Sequence, residues 1–227
     1  MSNLAKITLA LALAACTTRL GAASDQREKI PDPHTDLQAY TAYILRQHFP
    51  NVPLVNQDKK VVHFYDDLIK GKIVVIQFMF SNCERLCPMV TPNLVKVQKE
   101  LQKQAPGVIN FVSITVDPEH DTPEALKAYS QKFQVQPGWQ FFTGNRADID
   151  RLRRELGVYD PEDQQFEHMN VLTVGNEPAG DWFCIRALDQ PDIIAYTMLR
   201  LASRTPGAVL KPASVPHPGT LATKSNH

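Results

Sequence analysis

The chain has 227 residues, 43% hydrophobic and 21% charged, which suits a soluble globular protein with enough apolar material for one ordinary core. Lysine plus arginine number 24 and aspartate plus glutamate number 24, so the formal charge is zero. That balance gives no electrostatic case for nucleic acid or for an anionic membrane surface as partner.

The first segment reads as an export signal. Lys6 is the only positive charge ahead of an apolar run from Ile7 to Ala15, much shorter than the roughly 20 residues that cross a bilayer as a helix. Leu13-Ala14-Ala15-Cys16 resembles a bacterial lipobox, which leaves Cys16 as a lipidated N-terminus; Gly21-Ala22-Ala23 before Ser24 suits an ordinary signal peptidase. Residues 1–23 are thus expected to be a signal peptide and the mature protein to be exported, periplasmic and, on the first scheme, a membrane-anchored lipoprotein. Residues 24–52 are polar and proline-bearing, a spacer with one helix around Leu37, Tyr40, Ile44 and Leu45, started at Thr35 or Asp36.

The domain is expected over 53–203. Leu54–Asn56 and Val61–Phe64 flank Gln57-Asp58-Lys59-Lys60 as a hairpin, and Asp66–Ile69 makes a helical turn ended by Gly71. Ile73–Phe80 is a nearly unbroken β-branched and aromatic run, the pattern of a strand buried on both faces. A helix over Pro88–Gln104 carries Val90, Leu94, Val97 and Leu101 on one stripe. Val108–Val116 is a second buried strand, and Thr122–Phe133 a helix with Thr122 as its cap and Pro123 at its first position. Trp139–Phe142 is a short strand, Arg146–Leu156 a helix closed by Gly157, His168–Val174 and Trp182–Ala187 an antiparallel pair, and Asp192–Ala202 a last helix. The order β-β-β-α-β-α-β-α-β-β-α is α/β, the thioredoxin plan with an inserted helix and strand: a central mixed sheet flanked by helices. Residues 204–227, rich in proline, serine and threonine, are expected to be a disordered tail.

Four cysteines are present, Cys16, Cys83, Cys87 and Cys184, too few and too unevenly spaced for a disulfide-stapled domain. Cys83 and Cys87 fall where the first buried strand meets its helix. Unpaired N–H groups at a helix start stabilise a thiolate, so the pair is expected to have lowered pKa values. Thioredoxin-type exchange uses two intervening residues; here there are three, Glu84-Arg85-Leu86. An i, i+4 pair puts both sulfurs on one side, where one metal can bridge them, though a disulfide stays open. A third ligand is sought among seven histidines. His34, His48, His217 and His227 lie in spacer or tail, His63 in the hairpin, and His120 in the loop after the second buried strand. His168 precedes the late strand, in the loop that faces the cysteines in a thioredoxin-type sheet. Glu167-His168-Met169-Asn170 stands where redox enzymes of that fold place a cis proline, which favours a metal over pure disulfide exchange.

Asp117 and Asp121 either position the ligands or face a partner, or else end a strand and cap the next helix. Cys184, between Phe183 and Ile185, is expected to be a buried inert thiol, and Met79 and Met89 to pack in the core.

Three stretches together resemble the Sco/SenC family of copper proteins: Phe78 through Cys83 and Cys87 to Pro88, with its CxxxCP motif; Phe111 through Val116-Asp117-Pro118 to Asp121-Thr122-Pro123; and Glu167-His168. The resemblance runs from about Pro53 to Ser203. It implies a thioredoxin fold with copper, Cu(I) or Cu(II), held by Cys83, Cys87 and His168. It also implies delivery of that copper to the copper-bearing subunit of cytochrome c oxidase or another cuproprotein, or maintenance of the thiols at its binuclear site. Thiolates favour Cu(I), and imidazole accepts both oxidation states. His120 stands where the family often has arginine, and Met169 where a small hydroxyl residue is usual. A thiol–disulfide oxidoreductase using Cys83 and Cys87 on partner cysteines is the competing function; a peroxidase on the same fold fits the CxxxC spacing poorly.

Overall fold

The computed structural model describes residues 49–84, 86–159 and 170–205. The expected signal peptide with Cys16, the expected spacer helix, Arg85, His168, Met169 and residues 206–227 lie outside the described residues.

Seven strands form one sheet: β1 (Pro53–Asn56), β2 (Val61–His63), β3 (Ile73–Met79), β4 (Ile109–Thr115), β5 (Trp139–Gly144), β6 (Val171–Asn176) and β7 (Asp181–Arg186). Their spatial order is β2-β1-β5-β4-β3-β6-β7. The trio β3, β4 and β5 is parallel; β1 joins β5, and β6 joins β3, antiparallel. The helices are α1 (Cys87–Gln104), α2 (Pro123–Lys132), α3 (Arg146–Glu155) and α4 (Pro191–Ala202). The element order is the one expected from periodicity, and the mixed, helix-flanked sheet is thioredoxin-like.

The causes are local. All seven residues of β3 are buried, because β3 has a strand on either side and helices over the sheet, so it contains no polar face. The stripe Val90, Leu94, Val97 and Leu101 of α1 is buried as expected, and α1 packs against α4. Thr122 caps α2, its Oγ1 accepting from the Ala125 N–H at 3.2 Å. The turn expected at 66–69 is a π-helical turn over Phe64–Ile69. Asn51 Oδ1 accepts the Tyr65 and Asp66 N–H groups at its head, and the buried Glu177 carboxylate accepts Tyr65 Oη (2.8 Å) and the Gly71 N–H (2.7 Å) at its end. These side chains supply what the wide turn's backbone lacks. Phe49 and Val52, at the end of the spacer, are buried in the core, with Phe49 against the Trp182 ring at 4.6 Å. Gly175 on β6 lies under that indole, where a Cβ would stand 2.3 Å from a ring carbon.

Two expectations fail. Cys184 is exposed, not buried, because β7 is the outermost strand of the sheet, and Phe183 beside it is 38% exposed. An apolar triplet reads as core only when both faces and both edges are covered. Met89 is 52% exposed while Met79 is fully buried; two residues beyond Cys87 on a helix is about 200° round the axis, so Met89 faces away from the core side.

Candidate metal centre

Parallel pairing of β3 with β4, Met79 opposite Thr115, sends the loops after both strands out of the same end of the sheet. The loop after β3 carries Cys83 and leads into α1 at Cys87. The loop after β4 carries Asp117, His120 and Asp121. The Val116 N–H donates to the Met79 carbonyl at 2.8 Å, which extends the register into the loops.

Helix α1 starts without a side-chain oxygen at its cap, since Leu86 holds that position. The acceptor is sulfur instead: the Cys87 N–H points at Cys83 Sγ, 3.4 Å away. Spacing of four residues across a helix start thus brings Cys83, half-buried, to Cys87, buried at 1% exposure. Thr91 Oγ1, one turn further along α1, is 2.7 Å from Tyr129 Oη on α2. Burial foremost, with the charges of Cys87, Cys83 and Asp121 adding, pushes the Tyr129 phenol up, so it stays protonated throughout the ordinary pH range.

The expected lowering of both thiol pKa values fails at Cys87. Burial pushes its thiol up from 9.0 to about 12, and Cys83 adds to the rise by hydrogen bond and charge, while backbone hydrogen bonding at Phe80 and Cys87 pulls down. The magnitudes explain the outcome. A helix terminus is worth at most about 2 kcal/mol to a nearby charge, whereas three pKa units correspond to about 4 kcal/mol. Desolvation wins, and Cys87 keeps its proton at neutral pH until something takes its place.

Asp121 does not cap α2; Thr122 does. The Asp121 carboxylate is 1% exposed and accepts Ser81 N–H at 3.0 Å, Ser81 Oγ, and Thr115 Oγ1 at 2.5 Å. Thr115 Oγ1 in turn accepts the Asp117 N–H at 2.9 Å. At the outer rim, His120 Nδ1 is 2.9 Å from Asp117 Oδ2, and that hydrogen bond and charge hold the exposed imidazole above its ordinary pKa. Arg146 donates to Glu119 and, at 2.5 Å, to the Val116 carbonyl. Sequence reasoning missed Tyr129 as a neighbour of the pair and Ser81 as a partner of Asp121, since both placements depend on helix and strand register.

Cys83 and Cys87 come together; Cys184 sits two strands from β3, beside Thr173. Among the described residues, no three His, Cys, Asp or Glu side chains form a group able to hold a metal. His120 points its Nδ1 at Asp117 instead. Strand β6 pairs with β3 antiparallel, Leu172 opposite Gln77, so the chain enters β6 at the end of the sheet where β3 leaves for the cysteine loop.

A family model described as SCO1/SenC matches residues 46–178, more than half of the chain and every element from β1 to β6. The chain belongs to the SCO1/SenC family. It is 36% identical over 90 residues to the SCO1 protein homolog of Bacillus subtilis, a match covering 39% of this chain and 45% of that protein. The chain therefore spans about half the length of this curated SCO1/SenC relative. A solved SCO1/SenC family lipoprotein from Bacillus anthracis superposes with a TM-score of 0.58 at 31% identity, covering 68% of this chain and 94% of that one. The structure of BsSco, described as a member of the Sco family of cytochrome c oxidase assembly proteins with a disulfide switch, gives a TM-score of 0.56 at 25% identity, covering 68% and 94%.

Proposed function

We propose that this chain is a copper-carrying metallochaperone of the SCO1/SenC type, with Cys83, Cys87 and His168 as the copper ligands. The observation that carries the reading is the meeting of Cys83 and Cys87 at the head of α1, Cys83 reachable from solvent and Cys87 enclosed. Two soft sulfurs with an imidazole make a donor set suited to Cu(I). His168 is supported by the antiparallel entry of β6 beside the end of β3 and by family membership. Because Cys87 is protonated at neutral pH, copper entry displaces its proton, and release to a client is assisted when that proton returns. The client is the copper-bearing subunit of cytochrome c oxidase or another cuproprotein. Export through residues 1–23, with Cys16 as a lipid anchor in the periplasm, agrees with the lipoprotein character of the Bacillus anthracis relative.

One observation favours a second reading, thiol–disulfide exchange with a partner's cysteines. A reachable Cys83 and an enclosed Cys87 suit an attacking and a resolving thiol. The Cys83 thiolate attacks a partner disulfide and releases one partner thiolate. Cys87 then gives its proton to the departing partner thiolate and attacks the Cys83 sulfur of the mixed disulfide, releasing the second partner sulfur and leaving Cys83–Cys87 oxidised and the partner reduced.

Copper titration of the reduced protein tests the first reading. One copper per chain is expected, abolished in Cys83→Ser and Cys87→Ser and weakened in His168→Ala. Undiminished binding after both cysteines are replaced would overturn it.

A further inference from the structure

We propose that Asp121 is the positioning residue of the cysteine pair, acting through Ser81. Burying a carboxylate costs several kcal/mol, on the order of a whole domain's margin, unless donors compensate it. Asp121 is buried at 1% exposure, and its partners among the described residues are neutral: two hydroxyls and one backbone N–H. Two of those three donors belong to Ser81, two residues ahead of Cys83, and the third, Thr115, belongs to the strand that β3 pairs with. The carboxylate therefore ties the exit of β3 to the exit of β4. Helix capping does not account for it, since Thr122 performs that role next door.

The segment from Ser81 to Cys87 depends on this tie. At the turn itself the Cys83 N–H reaches the Phe80 carbonyl at 3.4 Å, and the Cys87 N–H reaches Cys83 Sγ at 3.4 Å. The first lies beyond the usual range for a strong bond between nitrogen and oxygen, about 2.7–3.2 Å. Asp121 thus fixes the turn from which Cys83 is presented to Cys87. Asp117 is held on the far side of the same Thr115 hydroxyl, so the loop after β4 is braced before it meets the cysteine loop.

The proposal rests on Cys83 and Cys87 being the working pair, and its main readout is metal-free. In the full chain carrying Cys184→Ser, we would measure the equilibrium of the Cys83–Cys87 pair with glutathione and the alkylation rate of Cys83, located by mass. Asp121→Asn is expected to move the equilibrium by about tenfold or more, the scale of 1.4 kcal/mol. Ser81→Ala, which leaves the carboxylate two donors, should move it less in the same direction, and the double variant no further than Asp121→Asn alone. If Asp121→Asn lowers the melting temperature but leaves both quantities within about twofold of the parent, or if the two substitutions add, the proposal is overturned. Should Asp121→Asn fail to fold, an unmoved equilibrium in Ser81→Ala overturns it equally. Copper titration of the parent separates the two ideas. Moved thiols without copper binding sink the metal reading alone, and copper binding with unmoved thiols sinks the positioning role alone.

Discussion

Raising the pH of the reduced, metal-free protein should destabilise it through Cys87. In the unfolded chain this thiol titrates near 9.0; in the fold, burial holds its proton until about 12. Below pH 9 both states keep the proton and the group contributes its full stabilisation. Between the two values the unfolded state loses a proton that the folded state retains, so stability falls as pH rises. At pH 10.5 the difference is 1.5 units on this scale, about 2 kcal/mol. For a domain of this size about 2 kcal/mol corresponds to a shift of roughly 5 °C in melting temperature. The assay compares parent and Cys87→Ala at pH 7.5 and 10.5, with reductant and chelator present. Groups remote from Cys87 that titrate in this interval are common to both proteins and cancel in the comparison. The parent should lose about 5 °C more than the variant over this interval. A gap that stays constant would refute the claim that burial, and not the helix terminus, governs this thiol.

Two further predictions concern the frame around the site. Gly175→Ala places a Cβ into the Trp182 ring, and since overpacking of this kind costs about 1–3 kcal/mol, the melting temperature should fall by roughly 5 °C; an unchanged value would mean that the indole is not held against Phe49. The His120 imidazole should titrate above its ordinary value in an NMR pH series, and Asp117→Asn should return it toward that value.

Much of the fold was legible because β3, α1 and the hairpin β1–β2 obey local rules. Ile73 to Met79 leaves no polar face, and Val90, Leu94, Val97 and Leu101 keep a helical period. The cysteine pair was legible for the same reason, since four residues across a strand-to-helix junction bring Cys83 to Cys87 whatever surrounds them. What failed depends on neighbours that the sequence does not order. Cys184 sits in an apolar triplet, yet β7 is the edge of the sheet. The pKa of Cys87 follows from how deeply the start of α1 is buried in the folded chain. The Asp121–Ser81 bond exists only because β3 and β4 pair with Met79 opposite Thr115, a register set between segments far apart in the chain. Thr122 alongside offered an obvious cap, which left Asp121 free for a role that periodicity does not reveal.

X-ray absorption at the copper edge of the loaded, reduced chain tests the central claim most directly. Two sulfur scatterers and one imidazole nitrogen are predicted, with one sulfur lost in either Cys83→Ser or Cys87→Ser and the imidazole lost in His168→Ala. A copper shell of nitrogen and oxygen alone, unchanged in the cysteine variants, would contradict it.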